Sequence, residues 1–324
     1  MDTSRLPLPP VIGAAALLLV VPFVLPEWMK FVVTLAMAKF VAVLAVALFL
    51  RANLVTFGHA MFYAVGAYAV GFSVKWLGIH DMILLLPVGT LLGAGIAALV
   101  GLVMARYREV FFAMLNLAFS MMLYGVLLKL YWLTGGTDGL GVGVPTFLGY
   151  VPSREHLRDF LYYTTLGVAA IVIYLVYRFL ASPLGFYLRA LADNEIRIEY
   201  SGESVRRILY ITYIVSGALG ALSGVLAAFT VGHIVPEYAF WIQSGDFVFV
   251  ALLGGYGSVL GPLIGSVAFE FIRTYASKYF PNEWQMTLGI IMLAIILFRP
   301  GGLWAIYEGL AARVGGRTSE GRHA

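Results

Sequence analysis

The chain has no cysteine, and only 12% of its 324 residues are Asp, Glu, Lys or Arg. Without cysteine there is no disulfide framework, thiolate nucleophile, zinc–thiolate site or iron–sulfur cluster. The five histidines, His59, His80, His156, His233 and His323, fall at no metal-ligand spacing, and the chain contains neither HExxH nor GxSxG. No lysine follows a glycine, which excludes a GK[ST] phosphate loop. The net charge of +4 is small, and the arginines are scattered through polar stretches without interleaved aromatics, so no nucleic acid partner is indicated. No cofactor, metal or catalytic residue is expected, and the chain reads as a non-enzyme.

What the chain does have is apolar surface. Hydrophobic residues make up 61% of it, and a soluble domain normally carries about a quarter charged residues to cover itself. Apolar runs of about 20 residues, the length that crosses the hydrocarbon core, recur throughout. They occupy 11–25, 31–50, 54–74, 82–105, 110–132, 160–180 and 208–231. A half-length run at 247–256 is followed by 259–276 and 286–298. The first run is followed by Pro26-Glu27-Trp28 rather than a small-residue cleavage site, so it is read as a retained span.

Arginine placement sets the topology, because cytoplasmic loops carry the excess of Lys and Arg. About ten crossings with both termini cytoplasmic put Arg51, Arg106, Arg108, Arg189, Arg197, Arg206, Arg207 and the tail arginines on one side. One crossing fewer would strand Arg299, Arg313, Arg317 and Arg322 outside. The expected architecture is an all-α polytopic membrane protein. Residues 1–308 form one transmembrane domain, and 309–324 form a polar, disordered cytoplasmic tail.

Small residues permit close helix packing in lipid, and Gly89/Gly93, Gly220/Gly224 and Gly257/Gly261/Gly265 repeat at four-residue spacing. Two segments read as interrupted helices, which mark transport sites. One is 53–71, where Asn53, Thr56 and His59 enter an apolar run; the other holds Pro262 within the glycine series. Among intramembrane polar residues, Lys39 and Glu270 are read as a structural pair or snorkelling groups and Asn116 as an interhelical hydrogen-bonding group, each ahead of a coupling-site alternative. Glu270 is the one deep acid, whereas a proton-coupled carrier would carry a relay of them. The glycine-rich stretch 134–145 is read as a flexible outer turn, with a docking surface as the alternative.

A charged segment, 182–207, separates two of the spans. Ser182 is an N-cap candidate with Pro183 at the first helical position, and Gly202 is a natural stop. Leu184, Leu188, Leu191 and Ile198 fall near one face of the helix so defined, while Arg189, Asp193 and Arg197 follow i, i+4 spacing on another. A short second turn is expected after Gly202. The segment forms either a projecting knob or an amphipathic stretch on the membrane surface.

Several stretches in order along the chain carry a family resemblance: LVTFGHAMFYAVGAYA (54–69), RYREVFFAMLNLAFSMMLY (106–124), WLTGGTDGL (132–140), SPLGFYLRALADNEIRIEYSG (182–202), LLGGYGSVLGPLIG (252–265) and RPGGL (299–303). In these the chain resembles the LivM-type permease subunits of branched-chain amino acid ABC importers. The resemblance implies a type II ABC importer permease in the inner membrane of a bacterium or archaeon. It implies a second, different permease subunit, two cytoplasmic ATPase subunits and an external substrate-binding protein. It makes 182–207 the ATPase-coupling loop, with Leu191, Asp193, Asn194, Glu195, Arg197, Glu199 and Gly202 nearest the ATPase. Translocation-pathway candidates are Thr56, Gly58, His59, Asn116, Gly254, Gly255 and Gly257. Import of urea or short amides, or ion-coupled secondary transport, stands as the alternative.

Overall fold

The computed structural model describes residue 22 and residues 25–153, 155–298 and 301–305, which are helical apart from short connections and one two-stranded pair. The first expected span, 11–25, and the tail, 309–324, lie essentially outside the described residues. Among the described residues, six helices are long and apolar enough to cross a membrane. They are α1 (Glu27–Leu50), α2 (His59–Phe72, continued by a π-helical turn, Ser73–Leu77), α3 (Met82–Met104), α4 (Glu109–Lys129), α5 (Leu157–Leu180) and α8 (Val205–Val231). Two short helices, α6 (Pro183–Ala190) and α7 (Glu195–Tyr200), lie between α5 and α8. Three more follow: α9 (Trp241–Gly254), α10 (Gly261–Tyr279) and α11 (Trp284–Phe298).

Helix α1 runs through the middle. Beyond Lys39 it is apolar on every face, and such a helix is stable only when surrounded, as this one is by α8, α10, α5 and α9. Helix α8 packs along α1, α2 and α3 through its small residues. A side chain at Gly224 would overlap the carbonyl oxygen of Tyr63, and one at Gly66 that of Ala221. Glycine is therefore needed at this crossing for backbone approach, and dispersion contact replaces the hydrophobic drive that lipid cannot supply. Ser223 adds a hydrogen bond from its hydroxyl to the Ala38 carbonyl at 2.7 Å, fixing α8 against α1.

The outer helices bury less. Helix α4 turns one stripe inward, Phe112, Asn116, Ser120 and Leu127, and leaves Phe111, Met114 and Met122 exposed. Helix α3 exposes Leu84, Leu91 and Leu99 in the same manner. Apolar exposure on this scale suits lipid or another membrane subunit rather than water.

Contacts sort the connections into two ends. At one end β1 (Leu140–Gly141) pairs antiparallel with β2 (His233–Ile234), and Lys75 donates to the Leu133 carbonyl. The glycine-rich 134–145 stretch is thereby bracketed against the α8–α9 connection, which corrects the expectation of a free turn. At the other end lie α6 and α7, the α3–α4 loop and the α9–α10 loop. Gly302, with φ +74°, packs there against the backbone nitrogen of Gly255.

Three further boundaries depart from the sequence reading. The run at 54–74 becomes helical only at His59, because residues 54–58 enter the bundle without regular structure after Asn53 adopts a left-handed φ of 56°. The run at 247–256 begins earlier, at Trp241, once a 3-10 turn at Pro236–Ala239 has carried the chain back inward. Pro262 occupies the first turn of α10, where its missing N–H costs nothing, so it opens a helix instead of interrupting one.

Candidate functional site: two short helices meeting inside the bundle, and a projecting pair of helices

Helix α9 has 14 residues, about 21 Å, short of a roughly 30 Å core, and α2 has 14 in regular α-helix before its π-helical turn extends it to spanning length. Their N-termini meet. The backbone N–H of Ala60, in the first turn of α2, donates to Ser244 Oγ of α9 at 2.8 Å. From that point α2 runs toward the β end, where Gly71 lies beside Leu140 and Ile234, and α9 runs to the opposite end, where Gly254 packs on Gly261. Two helix N-termini with exposed N–H groups and positive partial charge are thus brought together in the interior. Hydroxyls satisfy part of that demand: Ser244 for Ala60, and Thr56 Oγ1 for the Gly58 N–H at 3.4 Å.

Around this junction the structure collects four of the pathway candidates, Thr56, Gly58, His59 and Asn116. The two ring nitrogens of His59 lie 3.2 Å from Thr56 Oγ1 and 3.2 Å from Ser216 Oγ. The imidazole sits among Phe49 and Phe62, with ring centroids 5.9 Å from each. Gly58 abuts α4 so closely that a Cβ there would fall 2.8 Å from the Asn116 carbonyl oxygen. The Asn116 amide donates to the Phe112 carbonyl at 2.8 Å and its Oδ1 accepts from Tyr213 OH at 2.7 Å. Ser120, one turn further along α4, donates to the Ala239 carbonyl at 2.8 Å, just ahead of α9. Sequence reading did not identify Ser216, Tyr213, Ser244 or Ser120. Their signal was a hydroxyl within an apolar run.

The other three candidates occupy a different place. Gly254 packs on Gly261, and Gly255, at φ 94°, lies against Gly301, whereas a Cβ at Gly257 would meet open space. Gly257 therefore takes no part in the expected glycine stripe, which is carried by Gly254, Gly261 and Gly265. Arg51, at the end of α1, donates through Nε to the Tyr256 carbonyl at 2.8 Å, linking the two loops of the chain that lead into and out of short helices. Burial, with the nearby Arg189 guanidinium second, lowers the Arg51 pKa to about 10.

Deeper in the bundle, Lys39 and Glu270 form the expected pair. Lys39 Nζ lies 2.6 Å from Glu270 Oε1, both side chains are buried, and Asp246 and Gln243 line the same small cavity. Asp246 is half-buried and faces this cluster, not the surface.

The charged segment 182–207 is a compact double helix-turn. The Ser182 hydroxyl accepts from Gly185 N, and Pro183 opens α6 as expected. The helix then breaks at 191–194 rather than at Gly202. Asn194 takes an extended conformation, its side chain accepts from Arg197 N at 3.2 Å, and it starts α7 as a separate helix. Arg189, Asp193 and Arg197 consequently do not share one helical face. Gly202, at φ +87°, turns the chain, and Ser204 caps α8 directly, so the expected second short turn is the beginning of a long helix.

Leu188, Leu191 and Ile198 anchor this element to the body. Asp193, Asn194, Arg197 and Glu199 are exposed, and beside them Ile196 and Tyr200 are 62% and 88% exposed. Glu195 turns inward: Oε1 accepts from Arg108 Nε at 2.8 Å, while Arg108 Nη1 donates to the carbonyls of Ala105 and Tyr107. Of the seven expected coupling residues, Leu191 and Glu195 thus hold the element in place, Gly202 closes it, and the rest face outward.

Comparison with known proteins shows the family. Residues 28–297 match the family described as "Branched-chain amino acid transport system / permease component". The high-affinity branched-chain amino acid transport system permease protein LivM of Escherichia coli K12 is 27% identical over 273 residues, 78% of this chain and 64% of that protein. The probable LivM of Methanocaldococcus jannaschii is 27% identical over 241 residues, 70% of this chain and 69% of that protein. LivH of Escherichia coli K12 is 28% identical over 134 residues, 41% of this chain and 42% of that protein. The matched region spans slightly less than two thirds of the enteric LivM length. No solved structure matches. The chain is a multi-pass membrane protein and belongs to the family of permease components of branched-chain amino acid transport systems.

Proposed function

We propose that this chain is the membrane-spanning permease subunit of an ATP-driven importer for branched-chain or closely related amino acids. It alternates access under the drive of separate ATPase subunits, and the 182–207 element is where that drive enters. The observation that carries the reading is the α6–α7 element, fastened by Leu188, Leu191, Ile198 and the Arg108–Glu195 pair, with Ile196 and Tyr200 left exposed beside charged Asp193, Arg197 and Glu199. A small, rigidly held projection of apolar and charged groups suits docking into a groove of a partner protein.

The likeness to both LivM and LivH supports a heterodimer with a second permease, two cytoplasmic ATPases and an external binding protein. The exposed apolar faces of α3 and α4 offer surface for lipid and for that second subunit. Helix α1 starts at the β end and Gly302 packs at the α6–α7 end. One further crossing before α1 completes about ten, with both termini on the α6–α7 side and that side cytoplasmic. The inner membrane of a bacterium or archaeon is the corresponding location.

Co-expression with the ATPase subunits tests the reading. The wild-type chain retains them through purification, and Ile196→Asp with Tyr200→Asp releases them while the permease still elutes as a folded species. Uptake by the chain alone under a proton or sodium gradient, without ATP, would instead establish a secondary carrier.

A further inference from the structure

We infer that α4 acts as a lever that carries movement of the projecting α6–α7 element to the junction where α2 and α9 meet, with Arg108 and Glu195 as the positioning residues that grip it. This deepens the proposed function and rests on it.

At its first end, α4 is held through one guanidinium. Arg108 immediately precedes the helix; its Nε binds Glu195 Oε1 of α7 at 2.8 Å, and its Nη1 binds the Ala105 and Tyr107 carbonyls at 2.9 Å each. The end of α3, the start of α4 and the first turn of α7 therefore share one planar, five-donor group, which fixes direction as well as distance. The next residue, Glu109, has a left-handed φ of 49°, unusual for a residue with a side chain. The loop is held in a tight shape that transmits displacement instead of absorbing it.

Further along, the inward stripe of α4 packs on Phe49 of α1 and Tyr213 of α8 through Phe112 and Asn116, and then meets both short helices. Asn116 closes on Gly58 just before α2, and Ser120 binds the Ala239 carbonyl just before α9. Tyr124 adds a ring contact with Phe240, centroids 5.0 Å apart. These groups lie on the inward stripe, while Phe111, Met114, Met122 and Val126 on the far side are exposed. A rod attached along one line, gripped at one end by α7 and touching two N-termini further along, moves both when its end is moved. The contacts form a continuous route from α7 to the junction; demonstrated coupling makes such a route a mechanism.

The absence of cysteine makes the test clean. Ile171→Cys on the exposed face of α5, which packs on the central α1 and lies off this route, and Ile242→Cys on exposed α9 are spin-labelled in the assembled, reconstituted complex. The inter-label distance is measured without nucleotide and with ATP trapped, alongside uptake and ATP hydrolysis. The expected result is a nucleotide-dependent change that Glu195→Ala or Arg108→Ala abolishes, with at least a tenfold loss of uptake but ATPase subunits still bound. Arg108→Lys, which keeps a charged donor for Glu195 Oε1, retains a substantial part of both, which a purely structural defect at this position would not. A distance change that persists in both alanine variants overturns the lever, as does a wild-type complex that imports without any such change. Failure of the ATPase subunits to bind the wild-type chain at all overturns the proposed function itself.

Discussion

Lys39 and Glu270 face each other across the interior, Nζ to Oε1 at 2.6 Å, and so join the central helix α1 to α10 through two buried charges. Removing one partner leaves the other charge uncompensated away from water, at a cost of about 3–5 kcal/mol, whereas removing both leaves no orphan. Lys39→Met and Glu270→Gln are each expected to lower the thermal midpoint in detergent markedly, and the double variant to recover most of the loss. Additive losses in the double variant would show that the two residues act separately.

The crossing of α2 and α8 depends on backbone contact. Gly224→Leu or Gly66→Leu places side-chain atoms where a carbonyl oxygen of the other helix already sits, and overpacking of this kind costs about 1–3 kcal/mol or more. Both variants are expected to aggregate or to unfold at lower temperature. Gly95→Ala on α3, where a Cβ meets open space, is expected to be neutral or slightly stabilising. Equal melting temperatures across the three would contradict the packing described.

At the β end, Tyr131 OH donates to Asp138 Oδ2 at 2.6 Å. That hydrogen bond, and then the negative charge of Asp138, raise the phenol pKa above its ordinary value. A raised folded-state pKa contributes in full below the unfolded value of about 10 and is lost as the pH climbs through the folded one. Proteolytic nicking of the 134–145 stretch is therefore expected to rise above about pH 10 in the wild type. In Tyr131→Phe it is expected to be higher from the start and to lack that step. Identical pH profiles would remove the bond from the account.

Much of the architecture was legible because its signal is local. An all-apolar α1, the serine and proline that open α6 and the small residues of α8 each act within a turn or two. The Lys39–Glu270 pair was legible because hydrocarbon leaves buried charges few choices. The depth at which helices begin was not. An apolar run reads alike whether it is helical or irregular, so the non-helical entry before His59 and the inward turn before Trp241 stayed hidden. The break at Asn194 was missed because a capping side chain competed with an otherwise continuous helical pattern. Glu195 read as one more outward charge because its partner, Arg108, lies 87 positions earlier. The coupling candidates fall on one compact element, but the division between holding and facing residues belongs to tertiary structure.

The claim that the 182–207 element receives the drive of separate ATPases is tested most directly by reversing its outward charges. Asp193→Lys, Arg197→Glu and Glu199→Lys are combined in the reconstituted complex, and substrate-stimulated ATP hydrolysis is measured together with uptake. The account predicts that both fall to the background of ATPase subunits alone while the permease remains folded in the membrane. Stimulated hydrolysis and uptake at wild-type rates would contradict it.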